Sequence, residues 1–168
     1  MPRRLLDRCQ PDSIREFRAA ARCRFDDALS LTAAGRRMAA VYLWGYSAEM
    51  TLKAAYFSVE GRPETQPLTW GADLQPAIRR GQAMGIAWHG QGAGHNVRAW
   101  AELLVRTRAL SPATSLPAPF GLEVQRRGQQ VGRLWREFLR YHKNNAYEYE
   151  MRQIREAVSW LLVHARQL

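Results

Sequence analysis

Cysteine is nearly absent: only Cys9 and Cys23 occur in 168 residues. Two thiols in or near the first helical stretch make no disulfide framework, and four scattered histidines add no zinc-ligand spacing. No metal and no cofactor is expected. No apolar run approaches the roughly 18 residues that a bilayer span needs. The opening Met1-Pro2-Arg3-Arg4-Leu5-Leu6 is basic, but no apolar segment follows it. A signal peptide is therefore not expected, and the reading is a cytoplasmic protein with free thiols. Strand-type alternation is missing throughout. The turn Gly90-Gln91-Gly92-Ala93-Gly94 lacks the strand of a dinucleotide fingerprint and the Gly-Lys-Ser/Thr of a phosphate loop. Lysine is scarce as well, standing only at 53 and 143.

What the chain has in excess is arginine. Lys and Arg total 25 against 15 Asp and Glu, a net charge of +10 that is almost entirely guanidinium. Guanidinium forks grip phosphates bidentately and stack on bases, so RNA or DNA is a natural partner. An acidic protein surface answers the same field, and an arginine-rich composition alone gives the same count. Hydrophobic residues at 46% and charged residues at 24% describe a globular chain. One domain over 1–168 is expected, with its core at about 12–166.

Helical periodicity dominates. A first helix opens near Asp12-Ser13 and carries Phe17, Ala20, Ala21 and Ala28 inward. A second, from about Ala34 to Val59, is apolar on nearly every side and belongs in the middle of a bundle. A short helix from Pro76 to about Met84 follows. Another starts at Val97, with His95-Asn96 as its cap, and ends before Ser111-Pro112. The segment 111–121 holds three prolines and reads as a loop. Helices at roughly Leu122 to Tyr141 and Tyr147 to Gln167 complete the chain. The fold class is all-α, an up-and-down bundle of four to five helices plus a short extra one.

Two constellations carry chemistry. Glu49 and Lys53 stand at i, i+4 in the most apolar helix, which fits a structural ion pair; an enzyme working through the same two residues in a pocket is a weaker alternative. The stretch from Leu134 to Asn145 sets Arg136, Arg140, His142 and Lys143 among Trp135, Phe138 and Tyr141. Arg140, Tyr141 and Lys143 suit RNA binding, by backbone contact and base stacking. Arg136 and His142 suit metal-free RNA cleavage, the imidazole moving a proton and the guanidinium stabilising the phosphorane. Six residues at about 100° each put those two roughly 120° apart on a continuous helix. They converge only if the helix ends before His142 or if a two-fold partner completes the site. Otherwise the cations complement a helix C-terminus while the rings serve the core.

The run from Tyr42 through Gly45-Tyr46, Ala48-Glu49 and Leu52-Lys53 to Ala55 resembles the central helix of HEPN domains. Gly94-His95-Asn96-Val97 is similar to that family's Gly-His-Asp-Leu turn, with Asn96 in place of Asp, and Trp135 through Arg140-Tyr141 resembles its C-terminal half. Together these cover roughly residues 25 to 166. The resemblance implies a helical bundle, usually a homodimer, in a family with many metal-independent endoribonucleases of toxin–antitoxin and other defence systems. Their motif is Arg, four to six residues, then His, a spacing that Arg136 and His142 satisfy. Glu137 departs from the Asn, Asp or His usual after that arginine. A second alignment sets Arg140-Tyr141 on the Arg-Tyr pair of non-nuclease members, which act as substrate-binding modules or pair with a minimal nucleotidyltransferase. The expected function is RNA binding, with or without cleavage. Expected partners are a second copy, RNA, and an acidic antitoxin or a nucleotidyltransferase, with no membrane.

Overall fold

The computed structural model describes Cys9 and residues 11–88, 93–143 and 146–168. Among these residues all regular structure is helical: α1 (Ile14–Ala33), α2 (Arg37–Val59), α3 (Gln75–Ala83), α4 (Val97–Ala109), α5 (Ala118–Leu134) and α6 (Glu148–Val163). A π-helical turn, Trp70–Leu74, leads into α3; 3-10 turns at Ala93–His95 and Glu137–Tyr141 precede α4 and follow α5. No described helix is long and apolar enough to cross a membrane.

Local chemistry sets the limits of these elements. Ser13 is extended and accepts the Glu16 amide at 3.2 Å, capping α1. After α1, Gly35 takes a φ of +72°, a left-handed turn that costs glycine least, and the chain reverses. The expected start of α2 at Ala34 therefore falls in the turn. The hairpin closes tightly because Ala21, Ala28, Ser47 and Ala48 are small and buried. Ser47 Oγ donates to the Ala21 carbonyl at 2.7 Å. α2 then packs against α1, α4, α5 and α6, so it is apolar all round because it is covered all round. One hydrophobic core runs through the bundle, with Trp44, Trp100 and Trp135 among its largest buried side chains.

Three further boundaries differ from the sequence expectation. α5 begins at Ala118, inside the segment expected to be loop, because Pro119 sits in its first turn, where a missing N–H costs nothing. The last helix stops at Val163 rather than Gln167. The helix expected to run to Tyr141 stops at Leu134, and Trp135 and Arg136 are extended (φ −128°, ψ 138° and φ −145°, ψ 154°). A distant contact stops it. The Trp135 ring fills a notch over Gly45, where an added Cβ would lie 2.0 Å from Trp135 Cγ, and its indole N–H donates to the Tyr42 carbonyl at 3.0 Å. Glycines 128 and 132 weaken α5 as it approaches this point.

Gly45→Ala must expel Trp135 from its notch. The expected cost is about 1–3 kcal/mol of unfolding free energy, measured by urea denaturation. Unchanged stability would mean that Trp135 does not depend on the notch.

Candidate nucleic-acid interface

The break at Trp135 lays the turn Glu137–Tyr141 against α2 instead of projecting it from the end of α5. Among the described residues, four of the eight large exposed hydrophobic ones lie between 138 and 149: Phe138 at 50%, Tyr141 at 75%, Tyr147 at 64% and Tyr149 at 52% exposure. Arg140 sits 4.7 Å from the centre of the Tyr141 ring, and Tyr147 and Tyr149 stack at 5.9 Å, only 10° from parallel. Lys143 is exposed beside them. Hydrogen bonding to Tyr42, then to Tyr141, holds the Arg140 guanidinium above its usual range. Tyr42 in turn donates its hydroxyl to that of Tyr46 at 3.2 Å. Burial, with that bond second, pushes the Tyr46 phenol well above its ordinary range. Arg140, Tyr141 and Lys143 are thus available to solvent and to a polyanion.

Arg136 and His142 are placed differently. The Arg136 guanidinium turns back and donates to the carbonyls of Gly132 and Trp135, occupying the exposed end of α5. His142 is extended and exposed, with its ring edge-on to Phe138 at 5.6 Å. The helix does end before His142, as convergence requires, yet the two side chains are held by different partners: Arg136 by the Gly132 and Trp135 carbonyls, and the His142 ring against Phe138. Asn144 and Asn145 lie outside the described residues.

Beside this strip, Glu49 and Lys53 form the expected pair inside α2, with Lys53 Nζ to Glu49 Oε1 at 2.5 Å and both side chains almost wholly buried. A third member joins them. His95 Nδ1 lies 2.9 and 3.1 Å from the two Glu49 oxygens, so Nδ1 carries the hydrogen and Nε2 faces away from the pair. The ring packs edge-on against Tyr46 at 5.8 Å, and Lys53 Nζ stands 5.5 Å from the Trp100 ring. Asn96 caps α4 as expected, accepting the Ala99 amide at 3.1 Å. A carboxylate that fixes the tautomer of this partly exposed imidazole leaves Nε2 as the ring nitrogen outside the pair. The sequence places His95 in a cap and in the resemblance to a Gly-His-Asp-Leu turn, but gives it no carboxylate partner. The signal was present, since a buried carboxylate in an apolar helix demands more than one partner.

Among the described residues no group of three or more His, Cys, Asp and Glu side chains could hold a metal ion. His89 and Gly90-Gln91-Gly92 lie outside them. No family model, curated protein or solved structure matches this chain.

Removing one partner of a buried pair strands a charge. Lys53→Met is expected to cost about 3–5 kcal/mol, and the double variant Glu49→Leu/Lys53→Met much less than the sum of the single changes. Chemical denaturation of the four proteins in the cycle checks this; additive costs would show the pair to be uncoupled.

Proposed function

We propose that this chain is a HEPN-type, cytoplasmic RNA-binding protein that takes single-stranded RNA along the strip 138–149. The observation carrying this reading is the crowding of exposed rings with cations: Phe138, Tyr141, Tyr147 and Tyr149 beside Arg140 and Lys143. Unpaired bases stack on such rings while the cations hold the backbone. A folded duplex offers its bases no equivalent access. Tyr141→Ala is expected to weaken binding of a twelve-residue oligouridine by about 1–3 kcal/mol. Lys143→Gln is expected to lower the salt slope of binding by about 0.7. Fluorescence anisotropy over a salt series measures both, and full affinity in Tyr141→Ala would sink the stacking strip.

With Arg136 of one chain engaged by backbone carbonyls, the catalytic form of this reading is a homodimer in which a second copy supplies one of Arg136 and His142. A specific observation favours the non-catalytic form, a binding module that works beside a nucleotidyltransferase or an acidic antitoxin: Arg136 is already engaged by the carbonyls of Gly132 and Trp135. Incubating the protein with labelled single-stranded RNA in EDTA separates the two. Metal-free cleavage lost in His142→Ala supports the nuclease; cleavage lost in His95→Ala but retained in His142→Ala moves the proton-transfer role to the Glu49-oriented imidazole. Tight binding without cleavage supports the module.

A further inference from the structure

α1 and α6 both pack on α2 yet barely touch each other. Two cavities follow the seam between them. One, of about 800 Å³, is lined by Thr32 of α1, Trp44 of α2, Met151 and Trp160 of α6, and Arg127 of α5. The other, of about 170 Å³, lies toward the start of α1 and is lined by Arg18, Arg22, Thr51, Leu162 and Arg166. Thr32 and Arg18 are fourteen residues apart, so the seam extends about 21 Å along α1. Trp44 and Thr51, one heptad apart on α2, stand behind it.

We propose that this seam is the docking groove for an acidic amphipathic helix of a partner protein. Its chemistry is incomplete in the free chain. Trp44 is fully buried, and its indole N–H has no hydrogen-bond partner, the kind of orphan donor that a folded chain normally satisfies. Arg152 and Arg155 line the larger cavity and Arg22 and Arg166 the smaller, and none of these four forms an ion pair among the described residues. Arg18 and Arg127 already pair with Glu64 and Glu123. The seam's own carboxylates are two: Glu148, held by Arg37 at 3.5 Å, and Glu156. Positive charge is therefore in excess along the seam.

Between the cations Met151, Trp160 and Val163 give the larger cavity an apolar strip, edged by Thr32, Ser159 and His164. Trp160 is stacked on His164 at 4.2 Å, and Val163, 74% exposed, shares this strip with Met151. An amphipathic helix laid between α1 and α6 covers those side chains with its apolar stripe and offers flanking glutamates to the arginines. A polynucleotide fits less well, since its charge runs along the whole backbone and here the cations flank an apolar strip.

The test uses the full chain and a labelled twenty-residue helical peptide with leucines on one face and glutamates beside them. The same peptide with glutamine for glutamate, and a twelve-residue oligouridine, run in parallel. The acidic peptide is expected to bind at least tenfold more tightly than the glutamine peptide. The exposed triple reversal Arg152→Glu/Arg155→Glu/Arg166→Glu is expected to lose that preference, with an unchanged circular dichroism spectrum. Equal binding of the two peptides, or full acidic-peptide affinity in the triple variant, overturns the proposal. So does a triple variant that loses oligouridine and keeps the peptide, which assigns the seam to RNA. RNA binding lost only in Tyr141→Ala bears on the 138–149 strip and leaves this groove standing.

Discussion

Two charges that cannot reach water govern what surrounds α2. Glu49 and Lys53 are almost wholly buried, and a lone buried ion costs far more than a bundle of this size can absorb. They neutralise each other, and the remaining demand is met from one direction. His95 comes in from the 3-10 turn before α4 to the second carboxylate oxygen, and Trp100 of α4 sets its ring near the ammonium. That requirement fixes the chain before α4: the Gly94 carbonyl accepts the Trp100 indole N–H at 2.9 Å, while Asn96 caps the helix. A stretch rich in glycine is thereby held at its end by three different side chains, and an oriented imidazole results.

The same residues show what can be read locally and what cannot. The Ser13 and Asn96 caps, the all-round apolar α2 and the i, i+4 ion pair depend on neighbours within one or two turns, and they are legible in the sequence. The stop at Leu134 is not. Leu134, Phe138 and Tyr141 keep helical spacing, so the pattern says that the helix continues. The residue that ends it, Trp135, is held by a notch and a carbonyl some ninety positions earlier in the chain. The partner of His95 was missed for the same reason, since it lies 46 residues away. The π-helical turn at Trp70–Leu74 gave no periodic signal because it makes a single turn; Asp73 holds it by accepting the Thr69 amide at 2.8 Å.

A spacing motif and a surface carry different weight in such a chain. With 23 arginines (25 Lys and Arg less two Lys), an arginine six residues before a histidine arises easily, and here that arginine closes the end of α5. Exposed aromatic rings are harder to dismiss. Burying Phe138, Tyr141, Tyr147 and Tyr149 would contribute to stability, yet the fold leaves them at half exposure or more while sinking Trp44, Trp100 and Trp135 completely. The uncovered rings, more than the motif, argue for a ligand with faces to stack.

α2 explains how one small bundle can offer two different surfaces. Tyr46 and Trp44 are two positions apart, which at about 100° per residue puts them roughly 160° apart around the helix. Tyr46 and Glu49 support the strip beside Arg140 and His95, while Trp44 and Thr51 back the α1–α6 seam on the opposite side. α2 contributes no unpaired cation to either surface: its lysine is buried, and the exposed Arg37 at its start pairs with Glu148. The unpaired positive charge of the strip and the seam therefore sits on the elements around the central helix, on α1, on α6 and on the turn after Trp135. A core of alanines, tryptophans and one ion pair sets the spacing, and a surrounding layer of arginines sets the charge. Substitutions that resize the α2 core are felt on both surfaces; those in the arginine layer alter one surface at a time.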